Sequence, residues 1–193
     1  MRPLNFTVRG VVAPTRMLRF ILITLALSPG AHAAGLAPWE FAMSREQVSG
    51  FKEFGPYNAF SNGDLETFNG IFDGHKENIQ FFFNESGLTR IGVYVYEGTD
   101  VSAATSAWRH CYGTLTRLYG KLETPGLATT SGKAPDLDKM AMEVRSKVVS
   151  GVKVQMAPFE QPEKLFVYSS IWRSENQGSQ HFYVVIYIDP PHP

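Results

Sequence analysis

The sequence of 193 residues contains a single cysteine, Cys111. No intramolecular disulfide can form, so the fold must rest on buried apolar surface rather than cross-links. There is no excess of positive charge, with 18 Lys and Arg against 18 Asp and Glu. This balance argues against nucleic acid and anionic membrane surfaces as partners, since both require clustered Lys and Arg. Beyond the first 35 residues no apolar run approaches the roughly 20 residues of a membrane-spanning helix. The chain also lacks a G-x-S-x-G elbow, a G-x-x-x-x-G-K-[ST] loop and a G-x-G-x-x-G turn between strand and helix. Nucleophile-elbow and nucleotide-binding chemistry therefore has no local support. His75, His110, His181 and His192 have no partner at a recognised ligand spacing, so no cofactor or metal is expected.

What is present first is a leader. MLRFILITLALSPGAHAAG (Met17 to Gly35) has a basic start, an apolar run from Phe20 to Leu27 and an A-x-A site at Ala31 and Ala33. That layout predicts a cleavable signal peptide over residues 1–33, with Met17 as an alternative start. The expected product is a single domain over 34–193, periplasmic or secreted, with no transmembrane segment after cleavage. Loss of the four leader arginines leaves fourteen basic residues against eighteen acidic ones, a net charge near −4.

Within that domain, Met43 to Val48 reads as a helix start, with Ser44 as N-cap, Gln47 closing a capping box and Met43 stapled to Val48. Val48, Phe51 and Phe54 form its apolar face, and Gly55-Pro56 ends it. Trp39, Phe41 and Met43 suit an extended lead-in with its apolar side on the core. Strands are expected at Leu65 to Phe72, Asn78 to Asn84 and Leu88 to Glu97, joined by short turns as a meander. Asn84-Glu85-Ser86 matches a glycosylation sequon and is read as one of those turns. Asp100 caps a long helix carrying Ala104, Trp108, Cys111, Tyr112, Leu115 and Leu118 on one stripe, with Gly120 as its stop. On that stripe Cys111 reads as a buried, inert thiol.

After a loop at Thr124 to Pro135, a third helix starts near Asp136, and strands follow at Val152 to Ala157, Lys164 to Arg173 and Gln180 to Asp189. The tail Pro190-Pro191-His192-Pro193 cannot continue a sheet and is expected to be disordered. The order α-βββ-α-α-βββ predicts an α+β fold, a largely antiparallel sheet of about six strands with helices on one face.

Splitting the strands by period two separates an aliphatic side from an aromatic one. Ile91, Val93, Val95, Val167, Ile171, Val184, Ile186 and Ile188 suit the helix side. Tyr94, Tyr96, Tyr168, Trp172, Tyr183 and Tyr187 form the opposite side and are the candidate interaction surface, because Tyr and Trp bury much area and keep a polar handle. The same residues also stabilise sheets by cross-strand contacts alone. A competing reading assembles a small hydrolase or ligand-binding site across the sheet from His181, Asp189 and Arg90. Asp64, Glu66 and Asp73 equally suit turns or a carboxylate pair. The balance favours a binding module over an enzyme.

Trp39, the Met43-Ser44-Arg45-Glu46-Gln47-Val48 helix start, the strand Leu88 to Tyr96 and Leu118-Tyr119-Gly120 together resemble small exported bacterial α+β modules, the β-lactamase-inhibitor-protein-like and BamE-like proteins. The resemblance covers roughly Pro38 to Gly120 and concerns the plan rather than any functional residue. It implies a protein that acts by binding another exported or envelope protein.

Overall fold

The computed structural model describes residues 36, 38–128, 135–176 and 178–191, all within one compact unit, Ala31–Pro193. The expected signal peptide, the centre of the Thr124 to Pro135 loop and the last two residues of the Pro-rich tail lie outside the described residues. No helix among the described residues is long and apolar enough to cross a membrane.

Eight strands make one antiparallel sheet, in place of the expected six. They are β1 (Asn58–Ala59), β2 (Leu65–Phe72), β3 (His75–Asn84), β4 (Gly87–Gly98), β5 (Leu122–Glu123), β6 (Val154–Pro158), β7 (Phe166–Asn176) and β8 (Ser179–Asp189). The spatial order is β1-β2-β3-β4-β8-β7-β6-β5, so two meanders meet where β4 pairs with β8. The helices are α1 (Arg45–Gly50), α2 (Val101–Tyr119) and α3 (Leu137–Val149). The element order thus departs from α-βββ-α-α-βββ by the additions of β1 and β5. Each is only two residues long, too short for period-two patterning to show.

Local capping explains the helix starts. In α1 the Ser44 hydroxyl accepts from the Gln47 backbone N–H and the Gln47 side chain accepts from the Ser44 N–H, closing the capping box. The helix stops at Gly50, earlier than expected, and a short 3-10 turn at Lys52–Phe54 follows. That break lets Phe54 pack on Trp39 at 4.8 Å between ring centroids, while Trp39 packs on Phe81 at 4.9 Å. The lead-in is not extended either, since the chain turns at Ala42, whose φ is 66°. Its backbone clamps the start of β4, with Ala42 N–H donating to Leu88 O and Leu88 N–H to Met43 O.

Asp100 caps α2 as expected by accepting from the Ser102 and Ala103 N–H groups. Asp136 caps α3 by accepting from Lys139. Trp108, Cys111 and Leu115 of α2 and Val144 and Val148 of α3 are fully buried. They face the aliphatic side of the sheet. Cys111 shares a small cavity with Ile186 and Val95, and Arg173, opposite Phe182 in register, donates to Val149 O at the end of α3.

Burial pushes the Cys111 thiol from an ordinary 9.0 up to about 12, against the opposing effect of the nearby Ser169 hydroxyl. Burial likewise raises the Tyr119 phenol from 10.0 to about 12. The folded state therefore favours the protonated forms of both. Their contribution to stability is complete below pH 9 and is lost as pH rises towards 12. The midpoint of urea unfolding should fall between pH 8 and pH 11; a constant midpoint across that range contradicts this account.

Candidate functional site

Directly opposite residues of an antiparallel pair share a face, so the register fixes which side chains meet on the side away from the helices. Tyr168 lies opposite Tyr187 and Trp172 opposite Tyr183, across the two longest-paired strands, β7 and β8. Their rings stack. Centroids are 5.2 Å apart for Trp172 and Tyr183, 6.4 Å for Trp172 and Tyr187, and 5.1 Å for Tyr168 and Tyr187, with interplanar angles of 15°, 24° and 27°. The result is a row of four rings, Tyr183, Trp172, Tyr187 and Tyr168. Tyr94 joins it from β4, opposite Val185, which is fully buried on this same side. Burial raises the Tyr94 phenol well above its ordinary value, with the neighbouring Tyr187 and Glu97 acting in the same direction.

Five of the six expected residues therefore meet on one face, and the sixth does not. The register slips between Tyr94 and Tyr96, and Tyr96 lies opposite Val184, an aliphatic-side residue. A bulge places one extra residue in β4 and reverses the alternation beyond it. Tyr96 accordingly packs against the core, where its hydroxyl accepts from the Asp100 N–H at the start of α2. Tyr96 is a strut for the helix rather than part of the surface.

Near-parallel rings at these separations stand on edge. Their faces are turned to one another, and within the surface Tyr187 bonds with Tyr94 and Tyr183 with Glu97 through their side chains. Such a surface offers hydrogen-bonding groups set in apolar area, the character of a protein contact. The five rings are half-buried, and Ser170 and Val185 on the same side are fully buried.

Two cations close the row. Lys153 Nζ lies 5.5 Å from the Trp172 ring. The Arg90 guanidinium lies 5.3 Å from the Tyr187 centroid and 5.9 Å from that of Tyr168. Arg90 is also held by Asp189 in a two-pronged pair, Nε to Oδ1 at 2.7 Å and Nη2 to Oδ2 at 2.8 Å. The hydrogen bond to Asp189 strengthens the protonated guanidinium, raising its pKa further.

No known protein family, no curated protein and no solved structure matches this chain. What the site can do must therefore be read from its own geometry.

The hydrolytic arrangement of His181, Asp189 and Arg90 is not assembled. Arg90 and Asp189 meet, but His181 lies opposite Ser174 at the far end of β8, whereas Asp189 lies opposite Phe166. Eight residues of strand separate the two, about 26 Å. Of the other carboxylates, Asp64 accepts from the Phe83 N–H and Asp73 pairs with Arg117, which are structural duties. On the helix side, His75, Glu77 and His110 border the small cavity beside Cys111. Burial raises the Glu77 carboxyl, with the two histidines acting the other way. Among the described residues no three His, Cys, Asp or Glu side chains are placed to hold a metal ion.

Asp189 is 6 % exposed, so the loss of Arg90 would leave a buried carboxylate unpaired. Breaking a buried pair costs about 3 to 5 kcal/mol, but the Arg90 side chain is 42 % exposed and solvent screening reduces the cost. Arg90→Met should destabilise the protein by about 2 kcal/mol. Adding Asp189→Leu should restore most of that loss, and a double variant no more stable than Arg90→Met contradicts the pairing.

Proposed function

We propose that this protein is an exported, periplasmic or secreted binding module that docks another exported or envelope protein on the aromatic face of its sheet. The observation that carries the reading is the row of four stacked, half-exposed rings across β7 and β8. Isolated aromatic residues favour strands for structural reasons alone. An ordered row of Tyr and Trp rings adds the composition of an interaction hot spot. Export rests on the leader pattern, and the near-neutral to acidic balance turns the reading away from nucleic acid. The plan-level resemblance to the β-lactamase-inhibitor-protein-like and BamE-like modules points the same way.

The test is affinity capture from an exported-protein fraction with the mature protein and with its Tyr183→Ser and Trp172→Ser variants. Each ring pair contributes about 0.5 to 1.5 kcal/mol to stability, so both variants should fold. A hot-spot residue contributes about 2 kcal/mol or more to docking, so capture of the partner should fall about 30-fold. Capture that is equal for folded variants and the parent, or no partner in any exported fraction, would sink the reading.

A further inference from the structure

The row of rings ends differently on its two sides. On the β4 side, Gly92 lies opposite Tyr187 and contributes no side chain, and the Arg90 guanidinium, 5.3 Å from the Tyr187 centroid and 5.9 Å from that of Tyr168, borders both rings with Asp189 as its carboxylate partner. On the β6 side, Met156 lies opposite Ser169, which places Ala157 beside Tyr168, and Glu123 lies opposite Ala157. A methyl group thus stands where the next ring would stand, with a carboxylate one strand further out.

Tyr168, Ala157, Glu123, Pro125, Arg90 and Asp189 all border one groove of about 350 Å³. From β7 to β5 is two strand spacings, about 10 Å, room for one flat group between the Tyr168 ring and the Glu123 carboxylate. The chemistry that fits is a planar cation, which stacks on a ring and pairs with a carboxylate at the same time. Among the described residues that line the groove the one cation, Arg90, is already neutralised by both oxygens of Asp189, so Glu123 sets the sign of the slot. The acidic balance of residues 34–193 acts in the same direction.

We propose that the slot between Tyr168 and Glu123 receives an arginine side chain of the protein that docks on the aromatic face. Bound there, the guanidinium lies against the β6-facing side of Tyr168 and bonds to Glu123. The proposal rests on the docking function above and names one contact of the partner.

The test uses short peptide probes on the mature protein, followed by NMR of the Gln155 side-chain amide and the tyrosine rings. Acetyl-Gly-Arg-Gly-amide should shift Gln155 and Tyr168 more than Trp172 and Tyr183, and more weakly as salt rises. The citrulline peptide, flat but neutral, should bind about 2- to 5-fold more weakly. Glu123→Gln should reduce arginine binding by a similar factor and leave citrulline binding unchanged. Ala157→Leu, which fills the slot, should abolish both. Equal binding of arginine and citrulline peptides, or arginine binding that survives Ala157→Leu in a folded variant, overturns the proposal. If the peptides fail while Tyr183→Ser still loses the partner, the slot falls and the docking function stands. If the arginine peptide binds but no partner is recovered, the docking function falls instead.

Discussion

Replacing Gly87 with alanine should destabilise the protein by about 3 kcal/mol or more, the largest effect expected of any single methyl group in this chain. Gly87 opens β4 with a φ of +102°, a conformation that side chains rarely adopt. A Cβ there would lie 2.5 Å from Ala42 O, 2.7 Å from Ala42 C and 2.8 Å from Met43 O. These are backbone atoms, so no rotamer change relieves the overlap. The two segments are also tied by the Ala42 to Leu88 and Leu88 to Met43 hydrogen bonds, at 2.9 and 2.8 Å. The lead-in would have to lift away, taking with it the buried Trp39, which packs on Phe54 and Phe81. Urea unfolding followed by tryptophan fluorescence would measure the loss. Gly74→Ala is the control, because Gly74 has a similar positive φ but nothing within 4 Å of the added carbon; equal losses for the two would show that strain alone, not the clamp, is responsible.

Trp108→Ala should cost about 3 to 5 kcal/mol. Trp108 is among the largest fully buried side chains, packs on Tyr112 within the same helix, and belongs to the one helix that touches both meanders through β4, β8, β7, β6 and β5. Truncation leaves a cavity that two sheet halves and α3 would have to close together, which restricts relaxation. Met142→Ala on α3, where the side chain is 65 % exposed, should change stability by about 0.5 kcal/mol or less. A Trp108→Ala loss under about 1 kcal/mol would mean that α2 does not bridge the halves as described.

The features legible in the sequence were those written within a few residues of one another. Ser44, Asp100 and Asp136 are caps whose partners lie two or three positions on, and the α2 stripe repeats at helical spacing, so Trp108 and Cys111 could be placed in the core. The two faces of β7 and β8 followed from period two, which is why Tyr168, Trp172, Tyr183 and Tyr187 came out together. Tyr96 did not, because a bulge is a relation between two strands and leaves no mark on the strand that carries it. β1 and β5 were missed for want of length. Ala157 and Glu123 are unremarkable until β5, β6 and β7 are set side by side, whereas the separation of His181 from Asp189 was already implied by their places at the two ends of one expected strand.

The pairing of Arg90 with Asp189 joins residues 99 positions apart in sequence, across the seam where the two meanders meet. Each meander is built from neighbouring strands and short turns, whereas the seam closes the whole intervening chain as a loop. The stacked rings of β7 and β8 therefore sit in a local hairpin, and the ion pair sits across a contact that closes a loop of about a hundred residues. The ring row is thus a set of contacts close in sequence and the Arg90 and Asp189 pair one of high sequence separation, so the pair requires both meanders to be joined whereas the ring row does not.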